Sequence, residues 1–284
     1  MPRCHRRRPT ILIPSAIGAT PRFTNRPRNS HRFLTILALT AALAIAAPAF
    51  PIAEPSLENS GQSLGNWRPF NLAVGDIDGD ADLDLAFNCW FGGGRIYTNN
   101  GAGTFTDSGQ ALGGIENHGL ALGDLDGDGD LDAFVVFNSS ADRVFLNDGT
   151  GAFLDSGQSL NGADWGLTVV LGDIDGDNDL DALVSNYQMV NRICLNDGHG
   201  VFSVSTQTIG GILSRYMHLC DVDGDGDLDI YLCNSASADQ ILLNDGAGLF
   251  SDSGQRLGAT TGYGDASLAD LDGDGDDDIF LINS

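Results

Sequence analysis

The feature that most constrains this chain is an acidic nine-residue segment that returns five times at a nearly fixed interval. It first reads Asp76-Ile-Asp78-Gly-Asp80-Ala-Asp82-Leu-Asp84. It returns as Asp124, Asp126, Asp128, Asp130 and Asp132, then as Asp173, Asp175, Asp177, Asp179 and Asp181. The last two copies are Asp221, Asp223, Asp225, Asp227 and Asp229, and Asp270, Asp272, Asp274, Asp276 and Asp278. The starts lie 48, 49, 48 and 49 residues apart. Such a period means an array of one supersecondary unit, each copy burying its apolar face against the next.

In the second unit, Gly119-Leu-Ala-Leu-Gly123 precedes the acidic loop and Leu131-Asp-Ala-Phe-Val-Val-Phe137 follows it. Next come Asp142-Arg-Val-Phe-Leu-Asn147-Asp148-Gly149, Phe153 and Asp155-Ser-Gly-Gln-Ser-Leu160. Short apolar or alternating runs between Gly, Asn and Asp clusters are strands joined by tight turns. The Asn-Asp-Gly turn recurs at Asn147, Asn196 and Asn244, with Asn99-Asn100-Gly101 in the first copy, where hairpin turns demand positive φ. Each unit therefore reads as four strands, A to D, and no stretch has helical periodicity. The expected fold is all-β, a β-propeller of about five four-stranded blades. Leu57–Leu64 matches the strand D segment Phe153–Leu160, whereas the chain stops just past a strand B at Ile279–Ile282. The N-terminal segment is thus expected to close the last blade as its outer strand. An open arc completed by another chain is the rival arrangement.

Alternating Asp around Gly brings carboxylates to one point when the backbone curls, which is repulsive in water without a cation. Calcium takes six to eight oxygen ligands with forgiving geometry, whereas magnesium demands a tight octahedron and zinc prefers nitrogen or sulfur. Five structural calcium ions are therefore expected. Loop positions one, three, five and nine serve as side-chain ligands, and the backbone carbonyl of position seven (Asp82, Asp130, Asp179, Asp227, Asp276) completes each shell. A helix-loop-helix calcium site needs an acid at position twelve, which here is Phe87, Val135, Val184, Leu232 or Leu281. The loops therefore join strands. At about 1 mM calcium and a Kd of about 10⁻⁴ to 10⁻³ M, each site adds about 0.4 to 1.4 kcal/mol.

All 39 acids but only six of the 14 bases lie from Glu54 onward, giving that region a net charge of −33 with no Lys. Such a surface cannot hold phosphates, so nucleic acid is excluded as a partner. The other eight bases precede residue 33 and are followed by the apolar run Phe33–Ala47 and by Pro48-Ala49. A basic lead, a short apolar run and Ala-x-Ala spacing describe a secretory signal peptide over residues 1–49, cut near Ala49 or Ala53. That leaves residues 50–284 as a secreted, extracellular or cell-surface domain with no membrane span. Cys89, Cys194, Cys220 and Cys233 sit in apolar runs, as small core residues do. A hairpin centred on residue 225 places Cys220 opposite residue 230, so no bridge to Cys233 is expected.

The acidic loops, together with Asn-Asp-Gly-x-Gly-x-Phe turns at 147–153, 196–202 and 244–250, resemble the integrin-α-type propeller repeats known as FG-GAP or VCBS repeats. The resemblance runs over roughly 57–284 and departs at loop position six, Ala81 and Asn178 in two copies. It implies a calcium-bearing propeller used for adhesion or carbohydrate binding, and in a minority of members for catalysis. The A–B and C–D turns share one face. By the resemblance, the D–A crossovers on the other face form the ligand side. Those crossovers carry Trp67, Arg68, His118, Asp164, Trp165, Arg215, Tyr216 and Tyr263. Rings with scattered Arg and Asp suit recognition of a protein or glycan, although the same rings also suit wedging of adjacent blades. The expected role is a binding or adhesion module, as a monomer or within a larger surface assembly. The alternative is a polysaccharide lyase or hydrolase using Glu116, His118, Asp164, Arg215 and Tyr216. No Ser-His-Asp signature, phosphate loop or Cys-x-x-Cys pair occurs, and no catalytic residue is assigned.

Overall fold

Short apolar segments punctuated by Gly, Asn and Asp form extended strands in the computed structural model, which describes residues 11–12, 59–89, 92–114, 116–162, 164–211, 214–258, 265–269 and 277–282. No helix occurs among them. The contacts divide the chain into one unit of Met1–Pro14 with Ser63–Ser284 and a second of Ser15–Gln62.

In the first unit, β1 (Ile11–Leu12) precedes four sheets of four strands each. The first sheet holds β2 (Pro69–Gly75), β3 (Asp84–Cys89), β4 (Gly94–Asn99) and β5 (Phe105–Leu112). The second holds β6 (Asn117–Gly123), β7 (Asp132–Phe137), β8 (Arg143–Asn147) and β9 (Phe153–Asp155). The third holds β10 (Gly166–Gly172), β11 (Asp181–Asn186), β12 (Asn191–Leu195) and β13 (Ser203–Ile209). The fourth holds β14 (Ser214–Cys220), β15 (Asp229–Asn234), β16 (Asp239–Leu243) and β17 (Ser251–Leu257). Each is an antiparallel meander in strand order. The last sheet pairs β18 (Asp265–Ala269) with β19 (Asp278–Ile282), and β1 runs parallel along β19 with Ile11 opposite Ile279.

One register repeats throughout. The residue before each acidic loop pairs with the loop's ninth residue: Gly75 with Asp84, Gly123 with Asp132, Gly172 with Asp181, Cys220 with Asp229 and Ala269 with Asp278. The core lies between consecutive sheets. Ile96 and Leu112 pack with Leu120 and Val135, Phe134 and Val144 with Val169 and Phe202, Leu183 and Ile193 with Met217 and Leu232, and Tyr231 and Ile241 with Ala266 and Leu281. Phe134 meets Phe202 edge-on, ring centroids 5.3 Å apart. Close approach explains the glycine that precedes three of the loops. A Cβ on Gly123 would lie 2.7 Å from Leu180 Cδ1, and one on Gly172 would lie 2.9 Å from Leu228 Cδ1.

A second device stitches neighbours together at their outer strands. In Asp107-Ser108-Gly109-Gln110 the Asp and Ser side chains accept the amides of Gly109 and Gln110, and Gly109 takes a φ of 78°. This bulge aims Gln110 at the next sheet, where its Oε1 accepts the Phe153 amide at 2.9 Å. Gln158 Oε1 likewise accepts the Phe202 amide (2.8 Å) while its Nε2 donates to Gly200 O (2.6 Å), and Gln207 Nε2 donates to Phe250 O (2.8 Å).

The two ends of the series differ from its middle. Leu72 is 58% exposed, whereas Leu120, in the same place one sheet on, is 2% exposed. Val74 and Leu83 are exposed beside it. At the other end Phe280 is 38% exposed, although its counterparts Ala86, Phe134, Leu183 and Tyr231 are each at 0%.

The structure corrects two details of the sequence reading. Asn59–Leu64 form no strand, and in the full chain the last sheet has three strands, with β1 along the edge of β19. In the second unit, Asn59–Gln62 keep the turn seen in the outer strands, with Asn59 Oδ1 accepting the Gly61 amide at 2.8 Å and Gly61 at φ 75°. Cys220 lies opposite Asp229, one residue short of the expected partner, and Cys233 lies opposite Tyr216. All four described cysteines are free thiols and buried. The apolar run Phe33–Ala47 and its cleavage point lie outside the described residues.

Candidate metal centres and the shared cavity

Each acidic loop is wound on its own side chains. Position one accepts loop amides: Asp124 Oδ1 takes Gly127 N (2.8 Å) and Oδ2 takes Gly129 N (3.1 Å), and Asp173 and Asp221 repeat the pattern. Position five accepts the amide of position seven in four copies, at 2.9 to 3.1 Å. Position six must take positive φ, 95° at Gly129 and 98° at Gly226, and the two departures comply, with φ 71° at both Ala81 and Asn178.

This winding brings carboxylates together. One oxygen from each of Asp76, Asp78 and Asp84 lies within 4.8 Å of the others, and so it is for Asp124, Asp126 and Asp132, for Asp173, Asp175 and Asp181, and for Asp221, Asp223 and Asp225. Positions one and three converge in all four described loops, joined by nine in three of them and by five in the fourth. Asp270, Asp272, Asp274 and Asp276 lie outside the described residues. The side chain of position seven lies elsewhere. A Cβ added at Gly246 would come within 2.6 Å of Asp227 Oδ2, so that carboxylate sits beneath the Asn-Asp-Gly turn, as Asp82, Asp130 and Asp179 do under theirs. The main-chain carbonyl is the group that position seven has left to offer.

The donor set fits a hard divalent cation. Buried oxygens Asp76 Oδ1, Asp78 Oδ1 and Asp175 Oδ1 have no hydrogen-bond partner, and an unpaired buried acceptor costs about 1 to 3 kcal/mol, more when charged. Burial, then neighbouring carboxylates, raises the pKa of Asp78, Asp126 and Asp175. A cation reverses both penalties. An all-oxygen cluster suits calcium, whose coordination tolerates such a flexible loop.

Position nine has a further duty that its spacing did not reveal. Asp132 is buried, with Oδ2 accepting Leu125 N (2.9 Å) and Oδ1 accepting Asn147 N (2.8 Å). Asp181 and Asp229 hold the equivalent amides, and burial pushes all three carboxyls up to about 6. The turn asparagine then crosses to the preceding sheet. Asn147 Nδ2 donates to Ile77 O, Asn196 to Leu125 O and Asn244 to Ile174 O, each at 2.8 Å. The recurring Asn is therefore a clamp between one loop and the next.

Away from the loops, the first strands of all five sheets line one cavity of about 300 Å³. Strands β2, β6, β10 and β14 each carry a bulge, at Phe70, His118, Leu167 and Arg215, and all four residues line this cavity with Tyr216, His218 and Asp265. Bulges re-aim side chains. Phe70 stacks on His118 at 4.9 Å, and burial lowers the pKa of that imidazole.

Of the residues expected on the ligand side, the cavity gathers His118, Arg215 and Tyr216. Trp67 instead donates from Nε1 to Tyr97 Oη (3.1 Å) under the Arg95 guanidinium, 4.4 Å from its ring. Trp165 stacks on Tyr187 at 5.6 Å and is exposed, and Asp164 pairs with Arg192 at 3.5 Å. Arg68 is exposed, and Tyr263 lies outside the described residues. Phe70 and Leu167 were missed because bulge positions hold unlike residue types, whereas His218 and Asp265 sit at regularly paired strand positions, opposite Tyr231 and Ile282. Of the suggested acid–base group, His118, Arg215 and Tyr216 line the cavity, while Glu116 accepts from Ser139 Oγ (2.6 Å) and Asp164 pairs with Arg192.

The FG-GAP-like repeat pattern matches residues 76–135, 124–184 and 221–281, which together are more than half of the chain. The chain belongs to the FG-GAP-like repeat family. Each match runs from one acidic loop into the strand after the next, so the repeat is bounded by the acidic loops. No curated relative matches the chain. No helix among the described residues is long and apolar enough to cross a membrane.

Proposed function

We propose that this FG-GAP-like chain is a secreted, calcium-stabilised propeller of five blades that binds an extracellular protein or glycan at the cavity ringed by its bulged strands. Residues 1–49 serve as the export signal, so β1 leaves with them and the edge of β19 is open in the mature chain, and the ions occupy the acidic loops. The observation that carries the reading is the cavity itself, to which every sheet contributes its first strand. It places the rings of Phe70 and Tyr216 beside Arg215, a combination suited to stacking on a sugar or apolar group while pairing with a carboxylate.

Closure of the ring is supported by its two exposed ends. Leu72, Val74 and Leu83 on the first sheet and Phe280 on the last occupy places that are covered between all other neighbours. Leu131, Leu180 and Leu228 each lie over a glycine of the preceding sheet. In a closed ring Leu83 would meet the small Ala269, which stands in that place on the last sheet.

A glycan and protein array probed with calcium-loaded protein tests the reading. Binding without turnover is expected, with loss in Arg215→Ala at an unchanged melting temperature. Release of a cleaved product, or binding indifferent to Arg215→Ala and Phe70→Ala, refutes it. Calorimetry with and without chelator tests the metal separately, and equal melting temperatures refute the role of calcium.

A further inference from the structure

We propose a second kind of metal site, for a zinc-class transition ion, at the junction of the fourth and fifth sheets. A ring nitrogen of His218 on β14, the sulfur of Cys233 on β15 and a carboxylate oxygen of Asp265 on β18 lie within 4.8 Å of one another. His218 Nε2 and Asp265 Oδ1 are 3.2 Å apart. Zinc bonds of about 2.0 to 2.3 Å to N, O and S in a tetrahedron set the donors about 3.3 to 3.8 Å apart, so small side-chain shifts bring all three onto one ion.

The donor set separates this site from the loops. Calcium and magnesium take oxygen, whereas imidazole, thiolate and one carboxylate together suit zinc, cobalt or a similar borderline ion. The backbone presents the donors without strain. His218 lies opposite Tyr231, and Cys233 lies opposite Tyr216, so His218 and Cys233 are diagonal neighbours on one face of the sheet. Asp265 comes from the adjoining sheet, its Oδ1 also accepting the Ala266 amide at 2.8 Å. Cys233 is buried while His218 and Asp265 are increasingly open, and both of the latter line the shared cavity. Three protein ligands leave a zinc-class ion one free position, and here that position faces the cavity beside Arg215, where water or an anionic oxygen of a ligand completes the shell. Among the described residues no other such donor group includes a cysteine.

The test is a cobalt(II) titration of the full chain in saturating calcium and a phosphine reductant, followed by absorbance. One equivalent is expected to give a thiolate-to-cobalt charge-transfer band, displaced by zinc and lost in Cys233→Ser. Cobalt in the acidic loops has oxygen ligands only and gives no such band. His218→Gln, at a partly exposed position, is expected to weaken cobalt binding by about tenfold or more, at least what loss of an outer-sphere partner costs. It carries the test if Cys233→Ser fails to fold. Absence of the band at saturation, its survival in Cys233→Ser, or unchanged affinity in His218→Gln overturns the proposal and leaves an ordinary His218–Asp265 hydrogen bond.

Discussion

Replacing Asp142 with Asn should remove a pH dependence that the fold imposes on this one carboxyl. Asp142 is 3% exposed, Oδ1 accepts Phe137 N (3.0 Å) and Oδ2 accepts Asn161 Nδ2 (2.7 Å). Burial pushes its pKa from 3.8 up to about 7, with nearby Asp164 adding to the rise and the two hydrogen bonds opposing it. A folded-state value above the unfolded one means that the stabilising contribution is complete below pH 3.8 and is lost as pH climbs through about 7. At about 1.36 kcal/mol per pH unit, that rise amounts to roughly 4 kcal/mol as a ceiling. On the next sheet a neutral residue fills the equivalent place, where Asn191 Oδ1 accepts Asn186 N (3.0 Å) and its Nδ2 donates to Ile209 O (3.1 Å). Asp142→Asn should therefore match the parent near pH 4 and exceed it at pH 8. Even half of the ceiling raises the melting temperature by about 4 to 8 °C in a domain of this size. Calorimetry of both proteins in saturating calcium from pH 4 to 8 reads the difference, in which other titrating groups cancel. Parallel curves, or a variant less stable at pH 8, refute the reasoning.

Ala81 at φ 71° carries the left-handed penalty that glycine escapes, so Ala81→Gly should stabilise the first loop by about 0.5 to 1.5 kcal/mol after the entropy of the freer unfolded chain is subtracted; a fall in melting temperature contradicts this. Gly123→Val should overpack the contact with Leu180 and Leu171 and cost about 1 to 3 kcal/mol by urea denaturation. Asn196→Ala deprives the Leu125 and Leu180 carbonyls of their donor and should cost about 1 to 3 kcal/mol. It should also lower the cooperativity of calcium binding measured by isothermal titration, and an unchanged Hill slope would count against a linked set of loops.

The strands and loops were legible because both rest on local rules. A pleated strand needs alternating or apolar residues, and a loop wound on its carboxylates needs Asp and Gly at fixed offsets. The shared cavity was not legible. Its walls come from one bulge per first strand, and because a bulge selects backbone conformation and not side-chain chemistry, Phe70, His118, Leu167 and Arg215 share a place without sharing a type. Gln110 and Gln158 were read as parts of a strand, yet each acts on a partner 43 or 44 residues ahead. The exposed ends of the sheet series were hidden for the same reason, since exposure at Leu72 depends on what lies across from it.

Position nine shows how the acidic loops and the clamps form one system. From the fourth sheet back to the first, Asp229 holds the Asn244 amide, Asn244 holds Ile174 O, and the Ile174 amide returns to Asp181. Asp181 then holds Asn196, which reaches Leu125 O, while the Leu125 amide lies on Asp132. Asp132 holds Asn147, which reaches Ile77 O, and the Ile77 amide closes on Asp84. Every step passes through a buried carboxylate with an amide on each oxygen. Ordering one loop around a cation therefore fixes an amide in its own turn and a carbonyl in the neighbouring loop. In a region with net charge −33, repulsion between carboxylates opposes that order at every loop. Cations at alternate loops would leave the carboxylates between them both repelling and tied to rigid neighbours. If the loops hold cations as proposed, this linkage favours the arrangement in which all of them fill together.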